Sequence, residues 1–325
     1  MNKAYICVLL TAFIFGTMEV ALKIGASTMD PFQITYIRFA IGGLILLPFG
    51  IAEIRKRGIR LHLRDYLELA GIGFIGVVIS MILFQLGVMS SNASTASVLF
   101  CVNPFFTMIF AHFFAGERMN RTKAVILLIA MVGIFFMLRP WDVQEGNTAY
   151  GMITMILAAL TFGIYTVAAK GSIRKIGAIA QTGISFVLGA FILMVITSVI
   201  DRPVMAGITD NIPIILYTGI IVTGGGYFFY FKAIELADAA TGAFAFFLKP
   251  AIAPVIAVIV LGEHILWNTY FGIGLILAAS LINIVSQKKS MHIERVEEKR
   301  AAQRLDRGEQ RLDREPEQPE EKTHE

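Results

Sequence analysis

Charge is scarce in this chain. Asp, Glu, Lys and Arg make up 16% of its 325 residues, apolar types 56%, and mean hydropathy is +0.70. A soluble protein of this size carries about a quarter charged residues. Cysteine is scarcer still. Cys7 and Cys101 are the two present, each inside an apolar run, which leaves no disulfide framework and no metal-ligand spacing. There is no nucleophile elbow, no HExxH helix and no phosphate-cradling GxxxxGK[ST] loop. These absences argue against an enzyme, a metal or organic cofactor, and pumping driven directly by nucleotide. The net charge of +4 comes without a basic stripe interleaved with aromatics, so nucleic acid is not an expected partner.

What the chain does have is long apolar runs. About 20 residues of helix cross about 30 Å of hydrocarbon, and ten runs approach that length: 4–22, 32–52, 66–89, 93–115, 122–139, 149–170, 178–200, 213–233, 239–261 and 267–286. The first is too long for a signal-peptide core and no small-residue cleavage site follows it, so it reads as a membrane helix. Basic residues fall on alternate loops. Lys3, Arg55, Lys56, Arg57, Arg60, Arg64, Arg118, Arg121, Lys123, Lys170, Arg174 and Lys175 share one side, against Lys23, Arg139 and Arg202 on the other. That bias places both termini in the cytoplasm.

The chain also repeats itself. Ala93-Ser94-Thr95, Phe100, Pro104, Ala111 and Gly116-Glu117 return as Ala239-Ala240-Thr241, Phe246, Pro250, Ala257 and Gly262-Glu263, each 146 residues later. Phe15-Gly16, Val20-Ala21 and Lys23 return as Phe162-Gly163, Val167-Ala168 and Lys170 at an offset of 147. With five spans per copy, the second copy enters the membrane upside down. The expected fold is therefore an all-α membrane protein: ten transmembrane helices as two inverted five-helix repeats, 1–146 and 147–286, around a central cavity. Such duplication marks secondary transporters, whose site lies between the halves. Residues 287–325 are dense in alternating charge and read as a solvated cytoplasmic tail.

The combination of Phe15-Gly16, Lys23, Asp30-Pro31 and Arg38-Phe39 with the twice-repeated Pro and Gly-Glu resembles the EamA type of the drug/metabolite transporter superfamily. The resemblance covers roughly 4–286. It implies that helices 1–4 and 6–9 surround the cavity while 5 and 10 lie outside it. It further implies movement of amino acids, nucleobases, drugs or other small metabolites across the bacterial plasma (inner) membrane, outward as the usual direction. A sensor or scaffold built on the same bundle is the competing reading; it would show intramembrane charges paired off and no cavity. Monomer and homodimer are equally allowed.

Ionisable groups inside spans cost about 2.5–3.5 kcal/mol each on insertion scales, so each demands a reason. Glu19 and Arg38 sit at similar depths from one face and are expected to pair, as a static clamp or as an outer gate with Glu19 accepting a proton or a substrate ammonium. Their repeat equivalents are Thr166 and Ser185, so the fold itself does not require these charges. Lys249 stands at mid-helix beside Pro250, where its counterpart is Asn103 beside Pro104. The resemblance implies an acidic residue at Lys249, so this chain departs from the pattern there. Lys249 is read as a contact for an anionic substrate group or as a cation paired with Glu19. Tyr227 and Tyr230 share a helix face beside Gly224-Gly225-Gly226; Tyr165, Tyr36 and Gln85 are weaker binding candidates.

Overall fold

The structure, a computed structural model, describes residues 3–25, 27–114, 116, 121–138, 145–236, 239–279, 281–282 and 285–286. The expected tail, 287–325, lies outside the described residues, as does Glu117. Residues Met1–Asn283 belong to one compact unit. The described elements are helical. Seven are long and apolar enough to cross a bilayer: α1 (Lys3–Gly25), α2 (Pro31–Lys56), α3 (Leu63–Met89), α4 (Ala93–Phe114), α6 (Ala149–Ile176), α7 (Ala178–Val199) and α8 (Thr209–Ile234). Three shorter apolar stretches, Ala124–Phe136, Leu248–Leu261 and Trp267–Ala279, lie in α5 (Arg121–Leu138), α9 (Ala239–Leu261) and α10 (Trp267–Ala279).

Local chemistry sets several of the ends. Asp30 caps α2, accepting from Phe32 N at 2.9 Å, with Pro31 at the first helical position where a missing N–H costs nothing. Thr148 caps α6 through Gly151 N at 2.9 Å. The helices carry apolar residues on nearly every side, because one side meets lipid and the other the bundle. Leu44, Phe113, Phe191 and Ile259 are exposed, as a lipid-facing surface requires.

Two helices loosen at matching places. α3 widens into a π-helical stretch over Phe74–Ser80 and α8 over Tyr217–Gly225. The duplicated sequence predicts equivalent helices, and the equivalence extends to this irregularity. Close approach fixes the packing. A Cβ on Gly73 would strike the Ser185 carbonyl, and one on Gly189 would meet the Gly73 carbonyl, so α3 and α7 touch backbone to backbone. α5 and α10 pack on each other: Asn268 Nδ2 donates to the Phe136 carbonyl at 3.1 Å, and the Phe136 and Phe271 rings lie 4.9 Å apart.

The two ends of the bundle differ. At one, Lys175 pairs with Asp65, and Ser172 Oγ donates to Glu68 Oε1 at 2.5 Å, so the basic loops after α2 and α6 share a face. At the other, Arg202 pairs with Asp30 at 2.9 Å and Lys23 approaches Glu263 at 3.5 Å.

Candidate functional site

Midway through the bundle, Lys249 Nζ donates to Glu19 Oε1 at 2.5 Å, with both residues fully buried. The pair joins α9 to α1. Of the two cations weighed as partners of Glu19, Arg38 and Lys249, the structure selects Lys249. Depth alone had matched Glu19 to Arg38, whereas close packing of α1 on α9 brings Lys249 to the carboxylate first. Arg38, 2% exposed, instead directs Nη2 at the Met81 sulfur, 3.5 Å away, and lies 4.3 Å from the Phe39 ring centroid. It remains within electrostatic reach of Glu19 and of Tyr227.

Lys249 and Arg38 border a small cavity of about 10 Å³, lined by Phe15, Met18, Arg38, Met81, Phe100, Tyr227, Phe246 and Lys249. That is room for about one water. Aromatic rings wall the polar centre. Lys249 Nζ lies 5.6 Å from the Phe100 centroid and 6.0 Å from Phe84, a distance at which ring faces stabilise ammonium. Phe15 contacts Tyr227 edge-on at 5.2 Å and Phe246 at 5.6 Å.

Several buried polar atoms find no protein partner: Glu19 Oε2, Arg38 Nε, Ser97 Oγ and both amide atoms of Gln85. Each such atom costs about 1–3 kcal/mol if nothing meets it. Gln85 is one helical turn from Met81, and Ser97 precedes Phe100 on α4. They stand on the helices whose Met81 and Phe100 line the cavity, while Gln33 Oε1, Ser91 Oγ and Asn268 Oδ1, also unpartnered, lie elsewhere in the bundle.

The other expected site residues divide. Tyr230 packs edge-on against Phe246 at 5.3 Å, next to the cavity wall. Tyr165 packs at a tilt on Phe162, ring centroids 5.2 Å apart, and reaches Gln181 and Thr182 of α7. Asn103 serves its own helix. Its Nδ2 donates to the Phe100 carbonyl at 2.9 Å, the acceptor that Pro104 leaves without its backbone N–H. Tyr36 points away from the centre and hydrogen-bonds the Val204 carbonyl at the Lys23 end.

One constellation escaped the sequence reading. Glu263, expected only to end a helix, receives Ala93 N at 2.6 Å, Ser94 N at 3.0 Å and Ser94 Oγ at 2.6 Å, and also faces Lys23. Lys23 Nζ donates to the Ser91 carbonyl at 2.6 Å. A carboxylate at the N-terminus of α4 satisfies orphan donors and the helix dipole together. The contact ties the second half to the first. The repeated Gly-Glu marks this position in the sequence without indicating its partner.

A multi-span helical bundle with a buried ion pair and a further buried arginine at a small cavity fits a membrane transporter of the two-repeat kind. The chain belongs to the EamA-like transporter family, whose model matches residues 2–139 and again 149–285. It is 37% identical over 303 residues to an uncharacterized transporter of Clostridium kluyveri, covering 91% of this chain and 97% of that one. It is 24% identical to a protein of Rickettsia prowazekii named as an S-adenosylmethionine uptake transporter, over 88% and 94% of the two chains. A crystal structure at 16% identity superposes with a TM-score of 0.61 over 89% of this chain and 99% of the other, a likeness of fold.

Proposed function

We propose that this protein is a secondary transporter of small organic metabolites with ionised groups, amino acids among them, working by alternating access in the bacterial inner membrane. The reading takes ten spans, with α5, α9 and α10 completing the set, and two inverted halves divided near residue 146. Both termini and the 287–325 tail then lie in the cytoplasm, on the side of Arg55 and Lys175. One chain encloses the whole centre, so a monomer suffices.

The observation that carries this reading is the buried Lys249–Glu19 pair at the edge of a cavity that Arg38, with an unpartnered Nε, also lines. A static scaffold gains little from a buried ion pair, since an apolar pair of like volume is often as stable or more so. A carrier gains an exchangeable contact. When the Glu19 carboxylate takes a proton or a substrate ammonium, Lys249 loses its counter-charge and is free for an anionic group. Tyr227, Tyr230, Tyr165 and Gln85 form the wall on which an organic body rests, and Asn103 shapes the opposite helix. Tyr36 acts at the outer closure.

Proton and substrate then compete for one carboxylate, which is the arrangement of an exchanger. With a proton gradient directed inward, exchange drives the solute out. The same machinery runs inward under other gradients, as the name of the Rickettsia relatives implies for them. Glu263 ties the halves together at the Lys23 end, and rocking of the halves would part this contact.

The test is flux in reconstituted vesicles for a panel of amino acids, nucleobases and other metabolites, with and without a pH gradient. Saturable counterflow accelerated by the gradient, and lost in Glu19→Gln, is the expected result. Saturable flux indifferent to pH would remove Glu19 from coupling. No flux for any member would sink the carrier reading.

A further inference from the structure

We propose that Arg38 is the receptor for a carboxylate on the transported solute. The proposal rests on the transporter reading and adds a charge requirement that the reading alone does not contain.

Among the described residues, three charged side chains meet at the centre. Glu19 contributes one negative charge, Lys249 and Arg38 two positive ones, which leaves one cation in excess. The excess is located on Arg38, because Glu19 Oε1 is engaged by Lys249 at 2.5 Å. Arg38 has a sulfur acceptor at 3.5 Å, a phenyl face at 4.3 Å and an unpartnered Nε. Thioether sulfur is a weak acceptor, and a ring quadrupole offsets only part of the desolvation of a cation. A guanidinium at 2% exposure in that setting lacks the partner its fork geometry matches, a carboxylate held by two parallel N–H···O bonds.

The residue also faces the right place. It lines the cavity, with Tyr227 on the same wall and Phe15, Met18, Phe100 and Phe246 around the remainder. An anionic head on Arg38 is therefore continuous with an apolar surface for the rest of the solute. At about 10 Å³ the cavity admits no such molecule until α2, which carries Arg38, parts from α8, which carries Tyr227. Binding and the conformational change are thus coupled through one side chain. A clamp serving only to tie α1 to α2 would show Arg38 on Glu19; the carboxylate lies on Lys249 instead.

The experiment uses the full chain purified in detergent and matched pairs of probes: phenylalanine and phenylalaninamide, indole-3-acetate and indole-3-acetamide, benzoate and benzamide. Affinity is read from thermal stabilisation and calorimetry. In at least one pair the acid is expected to bind at least tenfold more tightly than its amide. Arg38→Lys keeps the charge but loses the fork, and is expected to weaken the acid at least tenfold while leaving any amide binding unchanged. Arg38→Gln is expected to abolish acid binding. If that variant does not fold, the acid–amide comparison on the unaltered chain and the Lys variant decide. Equal binding of acid and amide, acid binding within twofold in Arg38→Lys, or no acid bound in any pair overturns the proposal. Acid binding without vesicle flux would leave the carboxylate site standing and remove the transporter reading. Saturable flux of the amides with no preference for acids would do the reverse.

Discussion

At position 19 the first half of the chain carries a glutamate bonded to Lys249 at 2.5 Å; its equivalent in the second half, Thr166, turns its hydroxyl back to the Phe162 carbonyl at 2.8 Å. Arg38 is a buried cation at the cavity, whereas its counterpart Ser185 accepts from Gln181 at 3.0 Å. Lys249 reaches across to another helix, while Asn103 bonds within its own. Backbone plan is shared between the halves, down to the π-helical stretches of α3 and α8. At these three buried positions charge is not shared: where one half carries a charge the other satisfies itself locally with a hydroxyl or an amide, whereas Lys23 and Glu117 recur as Lys170 and Glu263. Duplication therefore supplies a scaffold that is stable without the charges, and the charges were placed on it one-sidedly. That is the pattern expected if they serve a directed task rather than the fold.

The comparison breaks most sharply at the ion pair. Lys249→Met leaves the Glu19 carboxylate buried and alone, which costs about 3–5 kcal/mol. A large drop in the melting temperature of the purified protein is expected, together with loss of flux. Glu19→Leu combined with Lys249→Met is expected to restore melting to near the unaltered value while flux stays absent. Recovery of flux in the double variant would show that the pair is structural only.

The next largest effect is expected at Glu263. Glu263→Gln weakens the cap on α4 and the attraction to Lys23, a loss of about 1–2 kcal/mol. The equilibrium should shift toward opening at that end. Cys101 is a natural reporter, buried and next to Val102 at the break in α4. In a Cys7→Ser background, labelling of Cys101 by a membrane-impermeant maleimide from the outer side should accelerate several-fold in Glu263→Gln. An unchanged rate would mean that the contact does not hold the end shut.

Asn103→Ala sharpens the contrast with Lys249. It removes the donor that stands in for the N–H missing at Pro104 and is expected to cost about 1 kcal/mol. Melting should fall by a few degrees with substrate affinity unchanged. A tenfold loss of affinity would instead place Asn103 in contact with the solute. Arg202→Ala should matter least, because its pair with Asp30 is half-exposed and exposed pairs contribute under about 1 kcal/mol. Any difference in melting should vanish in high salt.

Much of this was legible in the residues themselves. The apolar runs, the repeat at offsets of 146 and 147 and the asymmetry of Lys and Arg follow from what lipid permits: backbone polar groups must be satisfied within each helix, and charge must stay at the edges. Glu19, Arg38 and Lys249 stood out for the same reason, since each violates that rule. What sequence could not supply was partnership. Which cation reaches Glu19, that Asn103 repairs its own helix, that Tyr36 faces the Val204 loop and that Glu263 caps α4 all depend on the rotation of one helix against another. Those rotations are set by close contacts such as Gly73 on Gly189, between residues far apart in the chain. A periodic pattern records how deep a side chain lies and says nothing of which neighbour it meets, so the spans belong to the sequence and the site to the packing.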